Sequence, residues 1–512
     1  MEQIIILDFG SPYTQLIARR VRECKVYCLI KPYTTAAAEI ATLKPRGLIL
    51  SGGPLSASAA NAPRPDPAIY QLGVPVLGIA YGLQVMALEL GGGLEPAAQR
   101  EYGKVTLKLS GTESALFRNV EAQTQVWSSP GGRLSRLPEG FIGIGSTPHS
   151  DPAAVEEPRR RFYGVQFHPE VVHSLHGYQM LSNFVHEVCG CGESWTMQAY
   201  RRQAIEQIRA QVGDEHVILG LSGGVDSSVA AVLLQEAIGE RLTCIFVNNG
   251  LLRAGEAESV QELFGRNLNI RLHYEDASEL FLSRLAGVTD PEKKRAVIGN
   301  SFIEVFEAAQ KKVGHARFLA QGTVYPDVIE SIAADGNPAT LVKSHHNVGG
   351  LPSEMRFELV EPFRYLFKDE VRELGEVLGL SRELVWRQPF PGPGLGVRLV
   401  GEINPERLRI LREADAIVTE EMRRSDWYYK VWQSFAVLLP VRSVGVKGDL
   451  RTYEETVALR VVESLDGMTA DWVRLPYELL ELISRRILSE VPGVSRVCYD
   501  ISHKPPSTIE WE

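Results

Sequence analysis

The stretch LSGGVDSS at residues 221–228 decides the fold of the central part of the chain. It directly follows the apolar run VILG (217–220) and precedes the helical run VAAVLLQEAI (229–238). Two glycines allow a tight turn in which consecutive backbone N–H groups face one concavity, and the helix N-terminus adds partial positive charge. Between a strand and a helix, this pattern predicts a cradle for pyrophosphate.

The loop differs from a Walker A loop because it lacks the lysine of G-x-x-x-x-G-K-[ST]. A loop that holds the β,γ-pyrophosphate as a leaving group suits attack at the α-phosphorus of a nucleoside triphosphate. The hydroxyls of Ser222, Ser227 and Ser228 are expected to act as donors, and Asp226 is expected to help hold Mg²⁺ across the phosphates. A glycine-rich turn without a ligand is the alternative interpretation.

Outward from this loop, apolar strand-like runs alternate with amphipathic helical runs, which is typical of parallel α/β sheets. We therefore predict an α/β fold with two parallel-sheet α/β domains, at 1–192 and 193–387, joined near the linker CGCGESWT (189–196). A smaller α+β C-terminal domain, at 388–512, begins at the Pro- and Gly-rich run PFPGPGLG and is expected to end in charged helices and short strands. Ligands of such sheets bind at the carboxyl ends of the strands.

Composition limits the class of protein. The 512 residues are 44% hydrophobic and 23% charged, and 54 basic against 63 acidic residues give a net charge of −9. This balance argues against a nucleic-acid-binding protein dominated by phosphate contacts. No apolar run approaches the roughly 18 residues of a membrane span, and the N-terminus lacks signal-peptide features, so a cytoplasmic protein is expected. The six scattered cysteines are interpreted as reduced thiols, with a catalytic thiol as the alternative.

The loop resembles the signature of the N-type ATP pyrophosphatases. Further stretches, in the same order along the chain, are similar to the GMP synthetase family: GTVYPDVIES (322–331), KSHHNVGGLP (343–352), FKDEVRELG (367–375), PFPGPGLGVR (389–398) and KPPSTIEWE (504–512). The resemblance implies that ATP adenylates the C2 oxygen of XMP with release of pyrophosphate, and that ammonia then displaces AMP to give GMP. It also implies a homodimer formed through the third domain.

The resemblance assigns roles to particular residues. ATP would be bound by Ser222, Gly223, Gly224, Val225, Asp226, Ser227, Ser228 and Val247, the last against the adenine. Lys343 and the pair His345–His346 would belong to a lid, with a surface loop as the alternative. Lys368 and Asp369 would contact phosphate and Mg²⁺, with a solvated helix start as the alternative. XMP would be bound by Gly392, Gly394, Gly396, Arg398, Lys504, Thr508, Ile509 and Glu510.

The first domain resembles a class I glutamine amidotransferase in DFGS (8–11), LSGGP (50–54) and YGVQFHPE (163–170). Such domains hydrolyse glutamine with a Cys-His-Glu triad whose cysteine lies in a G-x-C-x-G turn. The matching turn is Gly78-Ile79-Ala80-Tyr81-Gly82, while His168 and Glu170 remain. A methyl group cannot attack an amide, so we predict that glutaminase activity is lost and that free ammonia replaces glutamine, with an external ammonia source as one option.

Further differences from the family bear on two open questions. Ser11-Pro12 and Ser128–Gly132 also depart from it, which favours natural loss of the cysteine over a single engineered change. Asn248, Gln388 and His503 depart from the family near the predicted nucleotide sites. A specialised or inhibitor-resistant paralogue acting on another purine-like acceptor is therefore an alternative, and a nucleotide-binding pseudoenzyme is another.

Overall fold

The computed structural model describes residues 2–53, 56–95, 102–110, 114–128, 132–329, 357–447, 449–464, 467 and 469–512. The chain divides into two compact units, Met1–Tyr200 and Arg201–Glu512. The boundary falls eight residues after the predicted joint at 192, and the predicted joint near 388 lies inside the second unit. The assignment of three functional domains stays a prediction.

The first unit is built around a mixed sheet of ten strands. The strands of this unit are β1 (Gln3–Asp8), β2 (Tyr27–Pro32), β3 (Gly47–Leu50), β4 (Val76–Ile79), β5 (Gly93–Glu95), β6 (Gly103–Leu109), β7 (Gln123–Ser128), β8 (Arg133–Arg136), β9 (Ile142–Ser146), β10 (Ala154–Glu157), β11 (Phe162–Val165) and β12 (Phe167–His168). Their order is β12-β7-β6-β9-β10-β11-β4-β3-β1-β2, and β5 pairs with β8 separately.

The predicted α/β class is confirmed, but only half of this sheet is parallel. Five strands run parallel: β2, β1, β3, β4 and β11. The other five pair antiparallel with their neighbours: β10, β9, β6, β7 and β12. Between β10 and β11 the reason is the length of the connection. Only four residues separate β10 from β11, whereas a parallel crossover needs a dozen or more.

Helices cover the parallel half of the first sheet. They are α1 (Thr14–Glu23), α2 (Ala37–Thr42), α3 (Tyr81–Glu89) and α4 (Gly177–Asn183), with short 3₁₀ or π segments at Pro67–Gln71, Ala115–Phe117 and Phe184–Val188. α1 shows how the sequence specifies this layer, since Ile17, Ala18 and Val21 are buried at helical spacing while its arginines reach solvent or partners.

The second unit contains a five-stranded parallel sheet in the order β15-β14-β13-β16-β17. Its strands are β13 (Val217–Gly220), β14 (Leu242–Asn248), β15 (Leu272–Asp276), β16 (Phe318–Ala320) and β17 (Glu358–Val360). The chain builds outward from β13 on one side and then restarts at β16 on the other. The carboxyl ends of β13 and β16 therefore form the topological switch point, where ligands of such sheets bind.

Nine helices of the described residues accompany this unit, beginning with α5, which spans the boundary between units. They are α5 (Met197–Val212), α6 (Val225–Ile238), α7 (Glu256–Val260), α8 (Ser278–Leu285), α9 (Pro291–Val313), α10 (Lys368–Val377), α11 (Arg382–Val385), α12 (Pro405–Arg424) and α13 (Tyr477–Glu490). Short 3₁₀ or π segments lie at Gly239–Arg241, Gln261–Asn267 and Gly394–Val397.

The C-terminal sheet consists of β18 (Gln433–Lys447), β19 (Leu450–Glu463), β20 (Asp471–Trp472) and β21 (Val494–Tyr499). The prediction of short strands holds for β20 and β21, which have 2 and 6 residues. It was wrong for β18 and β19, which are 15 and 14 residues long and form one antiparallel hairpin. Their inner residues pack in the same hydrophobic core as residues of the five-stranded sheet, a core that includes Ile218, Ile245, Leu395, Leu438, Leu459 and Val494. One core therefore spans both sides of residue 388.

All six cysteines are free thiols, and only Cys498 is exposed. Among the described residues, no helix is both long enough and apolar enough to cross a bilayer.

Candidate functional site

A sharp elbow joins β4 to α3 in the first unit. Ala80 lies between them with φ 49° and ψ −106°, a conformation that L-residues rarely adopt. The two flanking glycines are required by close packing. A Cβ on Gly82 would lie 2.3 Å from the carbonyl oxygen of Leu50, and one on Gly78 would lie 2.6 Å from the backbone of Leu83. The elbow thus keeps its strained geometry with a methyl group at its apex.

A histidine–carboxylate pair is buried in the same unit. His168 Nδ1 and Glu170 Oε1 are 2.7 Å apart, and both side chains are almost completely buried. Tyr13 packs edge-on against the imidazole with ring centroids 5.0 Å apart. The loop after β3 lies alongside, since a Cβ on Gly52 would be 3.3 Å from His168 Cε1. This pair has the geometry of a base and its orienting carboxylate.

The loop at 222–228 folds back on itself in the second unit. Ser227 Oγ accepts a hydrogen bond from Ser222 N at 3.2 Å and lies 2.9 Å from Ser222 Oγ. Gly223 has φ +73°, so the predicted tight turn is present. The residues of the loop that line a cavity at the carboxyl ends of β13 and β16 are Ser222, Gly224, Val225, Asp226 and Ser227.

Three residues predicted to bind ATP lie away from this cavity wall. Ser228 is fully buried, and its hydroxyl donates to the carbonyl oxygen of Gly224 at 2.7 Å. Val247 is buried in the hydrophobic core, and neither it nor Gly223 lines the cavity. Their contacts with ATP remain predictions, and the hydroxyl of Ser228 is engaged in stabilising the turn.

Asp226 is the described carboxylate best suited to a metal. Its Oδ2 forms an ion pair with Lys368 Nζ, whereas its buried Oδ1 has no hydrogen-bond partner. Mg²⁺ commonly takes one or two carboxylates plus phosphate oxygens, so this orphaned oxygen fits such an ion. Asp369, the second predicted ligand, is exposed and does not line the cavity. The described residues contain no cluster of three or more His, Cys, Asp or Glu side chains suited to a metal.

The Pro- and Gly-rich run also lines the cavity. Gln388, Pro389, Phe390, Pro391, Gly392 and Gly394 line it. Gly394 has φ +62°, and a Cβ there would lie 2.4 Å from the carbonyl oxygen of Leu251, so only glycine fits. Gly396 packs against Ile298 outside the cavity lining. Two of the three predicted phosphate-binding glycines therefore reach the cavity.

Arg398 does not face the cavity. It is fully buried, and its Nε and Nη2 donate to the two carboxylate oxygens of Glu510 at 3.0 and 2.9 Å. Its guanidinium also stacks on Phe435 at 4.0 Å. Arg398 and Glu510, both predicted to bind XMP, therefore form an ion pair with each other. Their contact with XMP remains a prediction.

Arg460, a residue that sequence reasoning missed, binds the C-terminal segment at three points. This buried arginine donates to the carbonyl oxygens of Ser502, Thr508 and Ile509 at 2.6, 3.0 and 3.4 Å. Lys504 Nζ donates to the carbonyl oxygen of Gly467 at 2.8 Å. No sequence motif pointed to Arg460, because its partners lie more than forty residues away.

Several other cavity residues were also missed: Glu256, Phe302, Phe306, Gly322, Arg372 and Arg387. Arg387 Nη1 donates to Gly223 O at 3.1 Å, and its Nη2 forms an ion pair with Glu256. A signal was available for two of them. Gly322 begins the GTVYPD motif and Arg372 ends FKDEVR.

The unusual residues near the site are engaged in internal hydrogen bonds. Gln388 donates to the carbonyl oxygen of Tyr428 at 2.8 Å and accepts from Ser434 N at 2.8 Å. Asn248 donates to Tyr274 Oη at 3.2 Å, whereas His503 is exposed. Lys343, His345, His346 and residues 129–131 lie outside the described residues.

Three protein families match successive parts of the chain: glutamine amidotransferase class-I at 5–188, NAD synthase at 197–281 and the GMP synthase C terminal domain at 420–511. Full-length relatives join these parts. A glutamine-hydrolyzing GMP synthase of Azoarcus sp. (strain BH72) is 56% identical over 100% of this chain and 99% of its own length. The chain belongs to the GMP synthase family. Glutamine-hydrolyzing GMP synthases of Carboxydothermus hydrogenoformans and Brachyspira hyodysenteriae are 55% and 54% identical, each over 100% of this chain and 99% of their own length.

Each feature of the two candidate sites can be assigned to one of these matches or to the segment between them. The amidotransferase match contains the elbow at Ala80 and the His168–Glu170 pair, and the NAD synthase match contains the loop at 222–228. Lys368 and the Pro- and Gly-rich run lie between the matched segments, in 282–419, where the full-length GMP synthase relatives extend the similarity.

Proposed function

We propose that this protein converts XMP to GMP by adenylating the C2 oxygen of XMP with ATP. That oxygen is a poor leaving group, and adenylation turns it into part of AMP. The observation that carries the proposal is one cavity lined both by residues of the loop 222–228 and by residues of the Pro- and Gly-rich run. The start of α6 supplies unpaired backbone N–H groups that suit a pyrophosphate, and the second segment would contact the other substrate.

The loop would act by holding the leaving group. Backbone N–H groups at the start of α6 would face the β- and γ-phosphates, with Lys368 beside them. Asp226 Oδ1 would bind Mg²⁺, which supplies positive charge to the phosphates. Fixed positive charge at the point where negative charge develops lowers the barrier to breaking the bond between the α- and β-phosphates.

Our proposal for the nitrogen source is free ammonia. The carrying observation is the elbow, where Ala80 occupies the strained position between β4 and α3. A methyl group has neither a proton for His168 to remove nor a lone pair for attack on an amide. The relatives are named glutamine-hydrolyzing, so this chain would have lost an activity that they have kept.

The test supplies ATP, Mg²⁺ and XMP with either glutamine or ammonium, and follows GMP, AMP and glutamate. We expect GMP and AMP with ammonium, and no glutamate from glutamine. Asp226→Asn is the matched control and should lose ammonium-dependent synthesis, which ties the product to the loop. Glutamate release with GMP formation from glutamine at a comparable rate would refute the loss of glutaminase.

The same assay separates the alternatives. Pyrophosphate release that requires an acceptor other than XMP would favour a specialised paralogue, although the internal hydrogen bonds of Gln388 and Asn248 remove part of the reason to expect one. Thermal stabilisation by nucleotides without AMP formation would favour a pseudoenzyme.

Our proposal for the assembly is a homodimer formed through the C-terminal region. The end of the β18–β19 hairpin exposes several apolar side chains, Val444, Val446, Leu450 and Tyr453, of which Leu450 is 73% exposed. Exposed apolar clusters of this kind mark interaction surfaces. Sedimentation equilibrium should give twice the mass of one chain, and a monomer at micromolar concentration would contradict the proposal.

A further inference from the structure

Within the part of the chain that the structure describes, the charges that line the cavity of the second unit do not cancel. Five charged side chains of this part contribute to the lining: Asp226, Glu256, Lys368, Arg372 and Arg387. Lys368 forms an ion pair with Asp226, and Arg387 forms one with Glu256. Arg372 has no ion pair with any described carboxylate, so the described wall carries one excess positive charge.

Arg372 lies beside the cavity, and among the described residues only one of its donors is engaged in a hydrogen bond. Its Nη2 donates to the carbonyl oxygen of Arg387 at 3.3 Å, and its guanidinium packs 5.2 Å from the ring centre of Trp386. A guanidinium has five N–H donors, so the others remain for a ligand. Burial lowers the pKa of this guanidinium below its usual value, and a cation that has lost part of its hydration gains from binding an anion.

Two connections place Arg372 near the pyrophosphate loop. It follows Lys368 by four residues on α10, so the two side chains share one helix face. Lys368 contacts Asp226 of the loop directly. Arg387, whose carbonyl oxygen accepts from Arg372, donates to Gly223 of the same loop. Arg372 therefore lies on the side of the cavity that faces the leaving group.

We propose that Arg372 binds the pyrophosphate portion of ATP and neutralises it as it departs. In adenylation, the C2 oxygen of XMP forms a bond to the α-phosphorus, and the bond from that phosphorus to the bridging oxygen breaks. The electron pair stays on this oxygen, so pyrophosphate gains negative charge. A guanidinium presents several donors in the fork geometry that phosphate oxygens accept. This role rests on the proposed adenylation and adds a binding residue to it.

The test measures binding of Mg²⁺-pyrophosphate to the full chain by calorimetry, without XMP or ammonia. Arg372→Gln should weaken binding about 10- to 100-fold, the range expected for a charge-assisted hydrogen bond. Arg382→Gln is the matched control, because Arg382 is exposed on the next helix and does not line the cavity. Wild-type affinity in Arg372→Gln would overturn the proposal.

A second variant and a kinetic measurement separate binding from folding. Arg372→Lys keeps the charge and loses the fork, so it should bind Mg²⁺-pyrophosphate more weakly than wild type and more tightly than Arg372→Gln. If Arg372→Gln does not fold, unchanged affinity in Arg372→Lys overturns the proposal. Arg372→Gln should also lower kcat for ammonium-dependent synthesis with an unchanged melting temperature. Failure of wild type to form GMP would count against the proposed reaction and leave the pyrophosphate result to decide the role of Arg372.

Discussion

Replacing Glu510 by Gln tests the ion pair between the fully buried Arg398 and Glu510, whose side chain is 19% exposed. The carboxylate accepts two hydrogen bonds from Arg398, at 3.0 and 2.9 Å, and one from Gln433 at 2.9 Å. Arg398 is fully buried and its Nη1 has no hydrogen-bond partner. The other nearby carboxylate, Asp415, lies 4.0 Å away and already pairs with Arg253 at 2.9 Å. Neutralising Glu510 therefore leaves a buried guanidinium without a full counter-charge.

The expected cost is about 3 to 5 kcal/mol, the range for removing one partner of a buried ion pair. The second unit has 312 residues, so its unfolding entropy near the midpoint is about 0.65 kcal/mol/K. The midpoint should fall by about 5 to 8 °C in differential scanning calorimetry. Glu406→Gln is the control, because Glu406 is 67% exposed in its pair with Arg409 and should cost under about 1 kcal/mol. A midpoint within 1 °C of wild type for Glu510→Gln would refute this account of the ion pair.

Three further changes test the elbow and the loop. Ala80→Cys should restore measurable glutamine hydrolysis, since losing a nucleophile costs on the order of 10⁶ in turnover. If the folded variant releases no glutamate, other changes in the first unit also disable the site. Gly82→Ala should destabilise the first unit by more than about 2 kcal/mol in chemical denaturation, because its Cβ would lie 2.3 Å from Leu50 O. Lys368→Gln should raise the KM for ATP at least several-fold, and unchanged kinetics would contradict its place beside the phosphates.

The sequence predicted local structure well where the residues of a short motif are sufficient to specify it without distant partners. The strand, tight turn and helix around 217–238 are present because the glycines and the apolar runs specify them without distant partners. The elbow at Ala80 was placed for the same reason. These motifs also located the cavity, since the carboxyl ends of neighbouring parallel strands must meet.

The rest of the fold could not be predicted, because it depends on contacts between residues that are far apart in the sequence. The antiparallel half of the first sheet and the long β18–β19 hairpin depend on which strands meet. Ion pairs such as Arg398 with Glu510 join residues more than a hundred positions apart. A motif gives residue types and spacing but not side-chain directions, so the inward orientation of Ser228 could not be anticipated.

The hydrophobic core that continues across residue 388 limits how this protein can be divided. Cutting there would leave Ile218 and Ile245 in one fragment and Leu395 and Leu438 in the other, each with an apolar surface exposed to water. The same cut would divide the residues that line the cavity between two fragments. Exchange of modules between related enzymes should therefore fail near Gln388, so recombination is expected to inherit the residues on both sides of it as one piece.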